Sequence, residues 1–314
     1  MSKLLVVFGA TGRQGESVIN HVLNDPELSQ QYRLRAITRD VNSEKSEQLK
    51  KQNAEVVQGD MNDRASLVAA LTGAHTVFAM TTPVFSANPV EDEYNIGKNI
   101  ADVAVETGAQ YLIWSTLPYV SELSNGKYTR VAPFDAKAKV ERYIRGLSIK
   151  SAFFAGGYFM ENFASQPFLG PKPAGDGTWV LARHVSGQTK LPYVDATGDT
   201  GKFVGAILAE PDKYEGKTFC AAAALYTLEE IAAILSKTTG QTVVYKQVSV
   251  EEFAAGLALP PDWTAIFVDG FSYKEEAGYF GPGTEKEVAW AAANARGRLT
   301  TLEEYFEAHP LRLA

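Results

Sequence analysis

Residues 4–15 read Leu4-Leu5-Val6-Val7-Phe8-Gly9-Ala10-Thr11-Gly12-Arg13-Gln14-Gly15, five apolar residues running straight into three glycines spaced G-x-x-G-x-x-G. A short unbroken apolar run is the pattern of a strand buried on both faces. Beyond Gly15 the apolar positions change to helical spacing, with Val18, Ile19, Val22 and Leu23 on one side. Strand, glycine turn and helix in that order are the context of a dinucleotide-binding turn. Small residues let the backbone approach a pyrophosphate, and the helix start offers unpaired N–H groups and a positive dipole end. Gly9, Thr11, Gly12, Arg13, Gln14 and Gly15 are therefore the candidate pyrophosphate residues. The spacing is not the G-x-G-x-x-G of the common dehydrogenase fingerprint. A glycine cluster alone marks only a turn, so the flanking strand and helix carry the reading.

A second strand, Arg33 to Thr38, ends at Arg39. In a dinucleotide fold the residue there meets the adenosine ribose. An acidic residue selects NAD, whereas an arginine accommodates the 2′-phosphate of NADP. Arg39 thus points to NADP; its alternative is a solvated loop arginine. Asp40 follows, but neighbours at a strand end point opposite ways.

The pattern then repeats. Val56-Val57 lead to Gly59-Asp60-Met61, Thr76 to Met80 lead to Thr81-Thr82-Pro83, and Tyr111 to Trp114 lead to Ser115-Thr116. Between them lie segments with apolar residues at helical spacing (Leu67, Val68 and Leu71, then Ile96, Ile100, Val103 and Ala104). Strands alternating with amphipathic helices predict an α/β fold with a doubly wound parallel sheet, the Rossmann arrangement. Ligands of such sheets bind at the carboxyl ends of the strands, which puts Asp60, Met61, Thr81, Thr82 and Pro83 on one rim. Beyond residue 155 the alternation is less regular. The predicted organisation is a cofactor domain over 1–155 and a smaller α+β domain over 156–314, with a return to the first near 192–212. A cleft between the two would hold a small-molecule substrate. Thr227-Leu228-Glu229-Glu230 has the form of a capping box at a helix start.

Composition narrows the function classes. The 314 residues carry 37 acidic and 30 basic side chains, a net charge of −7. That balance argues against direct nucleic-acid binding, which needs a surplus of Lys and Arg on one face. Cys220 is the single cysteine, so internal disulfides, zinc fingers and iron–sulfur centres are excluded. No stretch approaches the roughly 18 apolar residues of a membrane span. The apolar run after Met1-Ser2-Lys3 is too short for a signal peptide. The expectation is a cytoplasmic protein, with the nucleus left open, no membrane partner and oligomerisation undetermined.

The segments VFGATGRQG, AITRD, QGDMND, FDAKAKVERYI and GGYFMENF, with TGDTGKFVGAILAEPDKYEGKTF and LTTLEEYFEAHPL, together resemble the NmrA-like family, an atypical branch of the short-chain dehydrogenases. The resemblance covers essentially the whole chain. It implies an NADP-binding fold whose members are often redox sensors or transcriptional regulators acting through protein partners. Related branches are NADPH-dependent reductases. It also implies that Lys137 stands beside the nicotinamide ribose, that Lys98 is a cofactor ligand, and that Tyr158, Glu161 and Asn162 line the nicotinamide and the cleft.

Short-chain dehydrogenases work with Y-x-x-x-K, because residues four apart share a helix face and the lysine lowers the tyrosine's pKa. Four residues before Lys137 stands Pro133, beside Phe134. The lysine is kept and the phenol is lost; Tyr119, Tyr128 and Tyr143 are the nearest tyrosines. Lys137 has a plainer alternative as a surface pair with Glu141, and Lys98 as one with Asp102. The leading expectation is an NADP(H)-binding redox sensor or transcriptional regulator acting through a protein partner. The alternative is an NADPH-dependent reductase of a small carbonyl, imine or enone, with Lys137 as catalytic residue.

Overall fold

The computed structural model describes residues 2–313. A seven-stranded parallel sheet is formed by β1 (Lys3–Val7), β2 (Tyr32–Thr38), β3 (Glu55–Gln58), β4 (Thr76–Ala79), β5 (Tyr111–Thr116), β6 (Lys150–Gly156) and a late strand, Thr218–Ala221. Its order runs from that late strand through β6, β5, β4, β1 and β2 to β3. The direction of winding reverses between β1 and β4, which is where such sheets open a crevice for ligands.

Side-chain alternation along the strands builds two cores. Leu5 and Val7 of β1, Phe78 of β4 and Ile113 of β5 pack on one face. Leu4, Val6, Phe8, Val77, Leu112 and Trp114 pack on the other. The central strands are therefore buried at successive positions, which is why β1 reads as an unbroken apolar run. The helices between strands are α1 (Arg13–Asn24), α2 (Leu28–Gln31), α3 (Glu44–Lys51), α4 (Arg64–Leu71), α5 (Pro89–Glu106), α6 (Val120–Leu123) and α7 (Ala132–Arg145). Residues of α1 join the first core, and residues of α4, α5 and α7 the second.

The remaining strands form two three-stranded sheets. They are β7 (Tyr158–Phe159), β8 (Lys172–Pro173), β9 (Trp179–Arg183), β10 (Lys190–Val194), β12 (Ala224–Thr227) and β13 (Val243–Gln247), the late strand of the large sheet being β11. One small sheet has the order β12-β10-β7 and the other β13-β9-β8. Their helices are α8 (Asn162–Ser165), α9 (Ala196–Ala209), α10 (Leu228–Thr239), α11 (Val250–Leu257), α12 (Pro261–Ala277), α13 (Thr284–Asn294) and α14 (Leu302–Ala308). After β10 the chain returns to the large sheet through α9 and β11. Phe203, Val204 and Ile207 of α9 complete the first core, and the Gly201 N–H donates to the Ser17 hydroxyl of α1 at 2.9 Å. The capping box at Thr227 forms as expected, with the Glu230 carboxylate accepting from the Thr227 N–H at 2.8 Å. No helix among the described residues is long and apolar enough to cross a membrane.

Candidate cofactor and ligand site

The glycine turn leaves β1 at Gly9, whose φ of +62° is a conformation glycine adopts without a Cβ penalty. The Gly12 N–H closes the turn on the Gly9 carbonyl at 2.8 Å. A Cβ on Gly15 would lie 2.3 Å from that same carbonyl oxygen, so α1 can start this close to β1 only with glycine there. No side chain caps α1, so its first N–H groups have no side-chain acceptor among the described residues. The side-chain carbonyl oxygen of Gln14 is buried and unpartnered among the described residues. An uncapped helix start, a turn that admits no Cβ at Gly15 and an orphaned polar atom fit a pyrophosphate-bearing cofactor.

Arg39 ends β2 with an exposed side chain, and only its carbonyl is engaged, by the Gln58 amide at 3.3 Å. Asp40 turns into its own loop, accepting from the Asn42 N–H at 2.9 Å. The guanidinium is thus the group available to a ribose phosphate. The Asp60 carboxylate is occupied by the Asn62 N–H at 2.9 Å, and Met61 packs against the second core.

From Arg13 and Gln14 a cavity of about 400 Å³ runs past Thr81, Thr82 and Pro83 to Ser115 and Lys137, then on between aromatic walls toward α12. The Lys137 ammonium is ion-paired with Glu93 of α5. The same Glu93 oxygen accepts from the Thr81 hydroxyl at 2.6 Å. Both partners are nearly inaccessible, at 7% and 1% exposure, so this is a buried pair and not a surface one. Trp114 fixes the backbone beneath it, its indole N–H donating to the Lys137 carbonyl at 3.2 Å. Burial pushes the Lys137 pKa below the ordinary lysine value, and Glu93 pulls it part of the way back. Glu141 pairs instead with Arg145 at 2.6 Å, so the expected alternative for Lys137 does not form. Glu93 lies outside the set expected from the motifs. It carries a signal all the same, as a carboxylate on the stripe of α5 that buries Gly97, Ile100 and Ala104.

Two expected cofactor residues point elsewhere. Lys98 pairs with Asp102 at 2.6 Å, lies 4.7 Å from the Tyr143 ring centroid, and is not on the cavity wall. Glu161 accepts from the Ala196 and Thr197 N–H groups at 3.2 and 2.9 Å, capping the start of α9. A carboxylate is favoured at a helix start, and that explains its conformation without a cofactor. Tyr158 and Asn162, in contrast, do line the cavity.

None of the three tyrosines nearest in sequence replaces the lost phenol. The Tyr119 ring lies under Arg142, Tyr128 donates to Glu276 at 2.7 Å, and Tyr143 donates to Asp102 at 2.5 Å. The phenols on the cavity wall are Tyr158 and Tyr279, brought from β7 and from the turn after α12. Burial pushes the Tyr158 hydroxyl up to about 12, so it holds its proton at neutral pH. Phe134 packs against Tyr279, with ring centroids 5.6 Å apart. Farther out, Phe85 of the loop after β4 stacks on Trp263 of α12 at 4.0 Å and 15°, and both rings line the cavity. No group of His, Cys, Asp and Glu among the described residues is placed to hold a metal ion. Cys220 is buried, and burial pushes its thiol far above the usual range.

Sequence and fold relate the chain to proteins already characterised. It is 29% identical over 303 residues to the NmrA-like family domain-containing oxidoreductase lnaB of Aspergillus flavus, covering 91% of this chain and 89% of that one. The corresponding oxidoreductase ptmS of Penicillium ochrochloron is 30% identical over 304 residues, with 91% and 89% covered. Among solved structures, NmrA, a negative transcriptional regulator, in complex with NADP matches with a TM-score of 0.79 at 25% identity, covering 99% of this chain and 98% of that one. The Citrobacter sp. triphenylmethane reductase complexed with NADP(H) shares the fold, with a TM-score of 0.73 at 22% identity, covering 99% and 100%. The NmrA-like family model matches residues 1–306, from the first strand to the last helix, and the chain belongs to that family.

Proposed function

We propose that the protein binds NADP(H) and reduces a small carbonyl, imine or enone compound with an apolar, flat body. The observation that carries this reading is the cavity itself. It continues beyond the rim residues that would meet the cofactor, into an aromatic-walled space that also holds Lys137, Tyr158 and Tyr279. A mostly apolar pocket with a few convergent polar groups is the form of a small-molecule site. NADP is supported by the glycine cradle, by the unpaired Arg39 side chain, and by the NADP complexes of NmrA and the triphenylmethane reductase.

Bound NADPH would supply the hydride. The chain's own residues hold and enclose. Gly9 to Gly15 would carry the pyrophosphate and Arg39 the 2′-phosphate. Lys137, anchored through Glu93 and Thr81, presents a fixed polar group at the rim, and the Phe85–Trp263 stack adds an aromatic wall at the mouth.

Arg39→Ala is expected to weaken NADP binding about 10–100-fold in calorimetric titration, as losing a charge-assisted phosphate contact would. NAD binding should stay within about twofold, since NAD has no 2′-phosphate. Equal losses for both would mean that Arg39 does not read that group.

A regulator reading, in which cofactor occupancy controls partner binding, is favoured by the missing phenol four residues before Lys137 and by the likeness to NmrA. Absorbance at the NADPH band against a panel of carbonyls, quinones and imines separates the two. Turnover that falls at least a hundredfold in Lys137→Ala supports the reductase. No turnover by the wild type, together with oligomer mass or partner capture that changes with the NADP/NADPH ratio, would replace it with the sensor.

A further inference from the structure

The inner end of the cavity holds a buried lysine that no carboxylate reaches among the described residues. Lys274 of α12 is buried and lines the cavity. Its ammonium lies 5.0 Å from the ring centroid of Phe271 and 5.5 Å from those of Phe134, Tyr158 and Tyr279. No hydrogen bond or ion pair among the described residues engages it. The nearby carboxylates of its own helix are turned elsewhere. Asp269 accepts from the Arg130 N–H at 3.3 Å, Glu275 from the Ser186 N–H at 2.6 Å, and Glu276 from the Tyr128 hydroxyl at 2.7 Å.

Behind Lys274 stands a second buried cation, Arg183 of β9, 5.0 Å from the same Phe271 ring. Its guanidinium donates to the carbonyls of Ala182 and Leu169 at 2.6 and 2.5 Å, and no carboxylate reaches it among the described residues. The other titratable groups on this side are neutral ones: the phenols of Tyr158 and Tyr279, and His184, whose protonation burial disfavours. A buried charge without a partner is costly, so such a wall favours either loss of the proton or arrival of an anion. Burial first, and Arg183 second, push Lys274 down to about 7, so both outcomes are within reach near neutral pH.

We propose that Lys274 is the docking point for an oxyanion, and that the cavity's ligand is a flat aromatic anion carrying a carboxylate or phenolate oxygen. An aromatic body suits a wall that carries the rings of Phe85, Phe134, Tyr158, Trp263 and Tyr279. Docking is accompanied by uptake of a proton from solvent onto the Lys274 amine, giving an N–H to O⁻ contact with no change in oxidation state. The proposal rests on the reading that the cavity takes a small molecule, and it adds the charge of that molecule and the residue that selects it.

The test is calorimetric titration of the full chain, with and without NADP, using 1-naphthoate and its uncharged counterpart 1-naphthalenemethanol. Phosphate and Tris buffers at pH 7.5 reveal proton uptake as a difference in heat. The wild type should bind naphthoate at least tenfold more tightly than the alcohol, with net proton uptake and an affinity that falls above pH 8. Lys274→Met should bind both compounds about equally, without proton uptake. Lys274→Arg, which does not titrate in this range, should keep the preference and lose the uptake. Equal wild-type affinity for the two compounds, or a preference that survives in Lys274→Met, overturns the oxyanion assignment and leaves the reductase reading in place. Binding of neither compound overturns the assignment together with the ligand cavity on which it rests.

Discussion

Gly15→Ala is expected to lose at least a hundredfold in NADP affinity and to melt several degrees below the wild type. The added methyl would sit 2.3 Å from the Gly9 carbonyl oxygen, 2.6 Å from its carbon and 2.9 Å from the Ala10 Cα. All three are backbone atoms, so no rotation of a side chain relieves the clash. Either the turn opens or α1 slides. Sliding is resisted because α1 is bonded to α9 through Ser17 and Gly201. Overpacking of this kind costs roughly 1–3 kcal/mol of stability, and a turn displaced by an ångström no longer aims its N–H groups at a pyrophosphate. Gly12→Ala is the matched control, because its methyl would meet only the Gly9 oxygen at 3.3 Å and should be tolerated far better. Thermal melts with and without NADP, alongside calorimetry, check both. Wild-type affinity in Gly15→Ala would mean that the pyrophosphate lies elsewhere.

Different parts of this molecule were legible to different degrees, for physical reasons. The large sheet is legible because its central strands β1, β4 and β5 are buried on both faces. Leu4, Val6 and Phe8 must then be apolar for one core while Leu5 and Val7 are apolar for the other. The rim is legible because parallel strands place their carboxyl ends together, so Thr81 and Ser115 meet although far apart in sequence. The inner wall is not. Lys274 stands in the run Lys274-Glu275-Glu276, which reads as a solvated helix end. Only the packing of α12 under Phe134 and Tyr158 makes it a buried cation. Tyr279 arrives from a turn near the chain's end, again through contacts distant in sequence. The misplaced residues carry the same lesson. Glu161 follows a glycine-rich strand end as a ligand residue would, yet a helix start within its reach takes its carboxylate. The partner chosen for Lys137 also depends on α5 lying against α7, which no local spacing encodes.

That partnership supports the second large effect. Lys137→Met is expected to destabilise the protein by about 3–5 kcal/mol in urea unfolding, because it leaves the Glu93 carboxylate buried with only the Thr81 hydroxyl. Glu93→Gln should also destabilise, but by less, since a stranded lysine is relieved by releasing its proton. The double variant Lys137→Met/Glu93→Gln should recover more than half of the loss, giving a favourable coupling energy in the cycle. The Glu93→Gln deficit should also depend on pH. Without Glu93, the Lys137 pKa drops further below the 10.5 of an unfolded lysine, because burial is then unopposed by a carboxylate. Between those two values the unfolded chain binds more protons than the folded one, so stability rises with pH and the Glu93→Gln deficit shrinks toward pH 10. A Glu93→Gln deficit that stays constant toward pH 10, or single losses that simply add in the double variant, would show that the two side chains do not depend on each other. The rim of the cavity would then be held by packing around Trp114 alone.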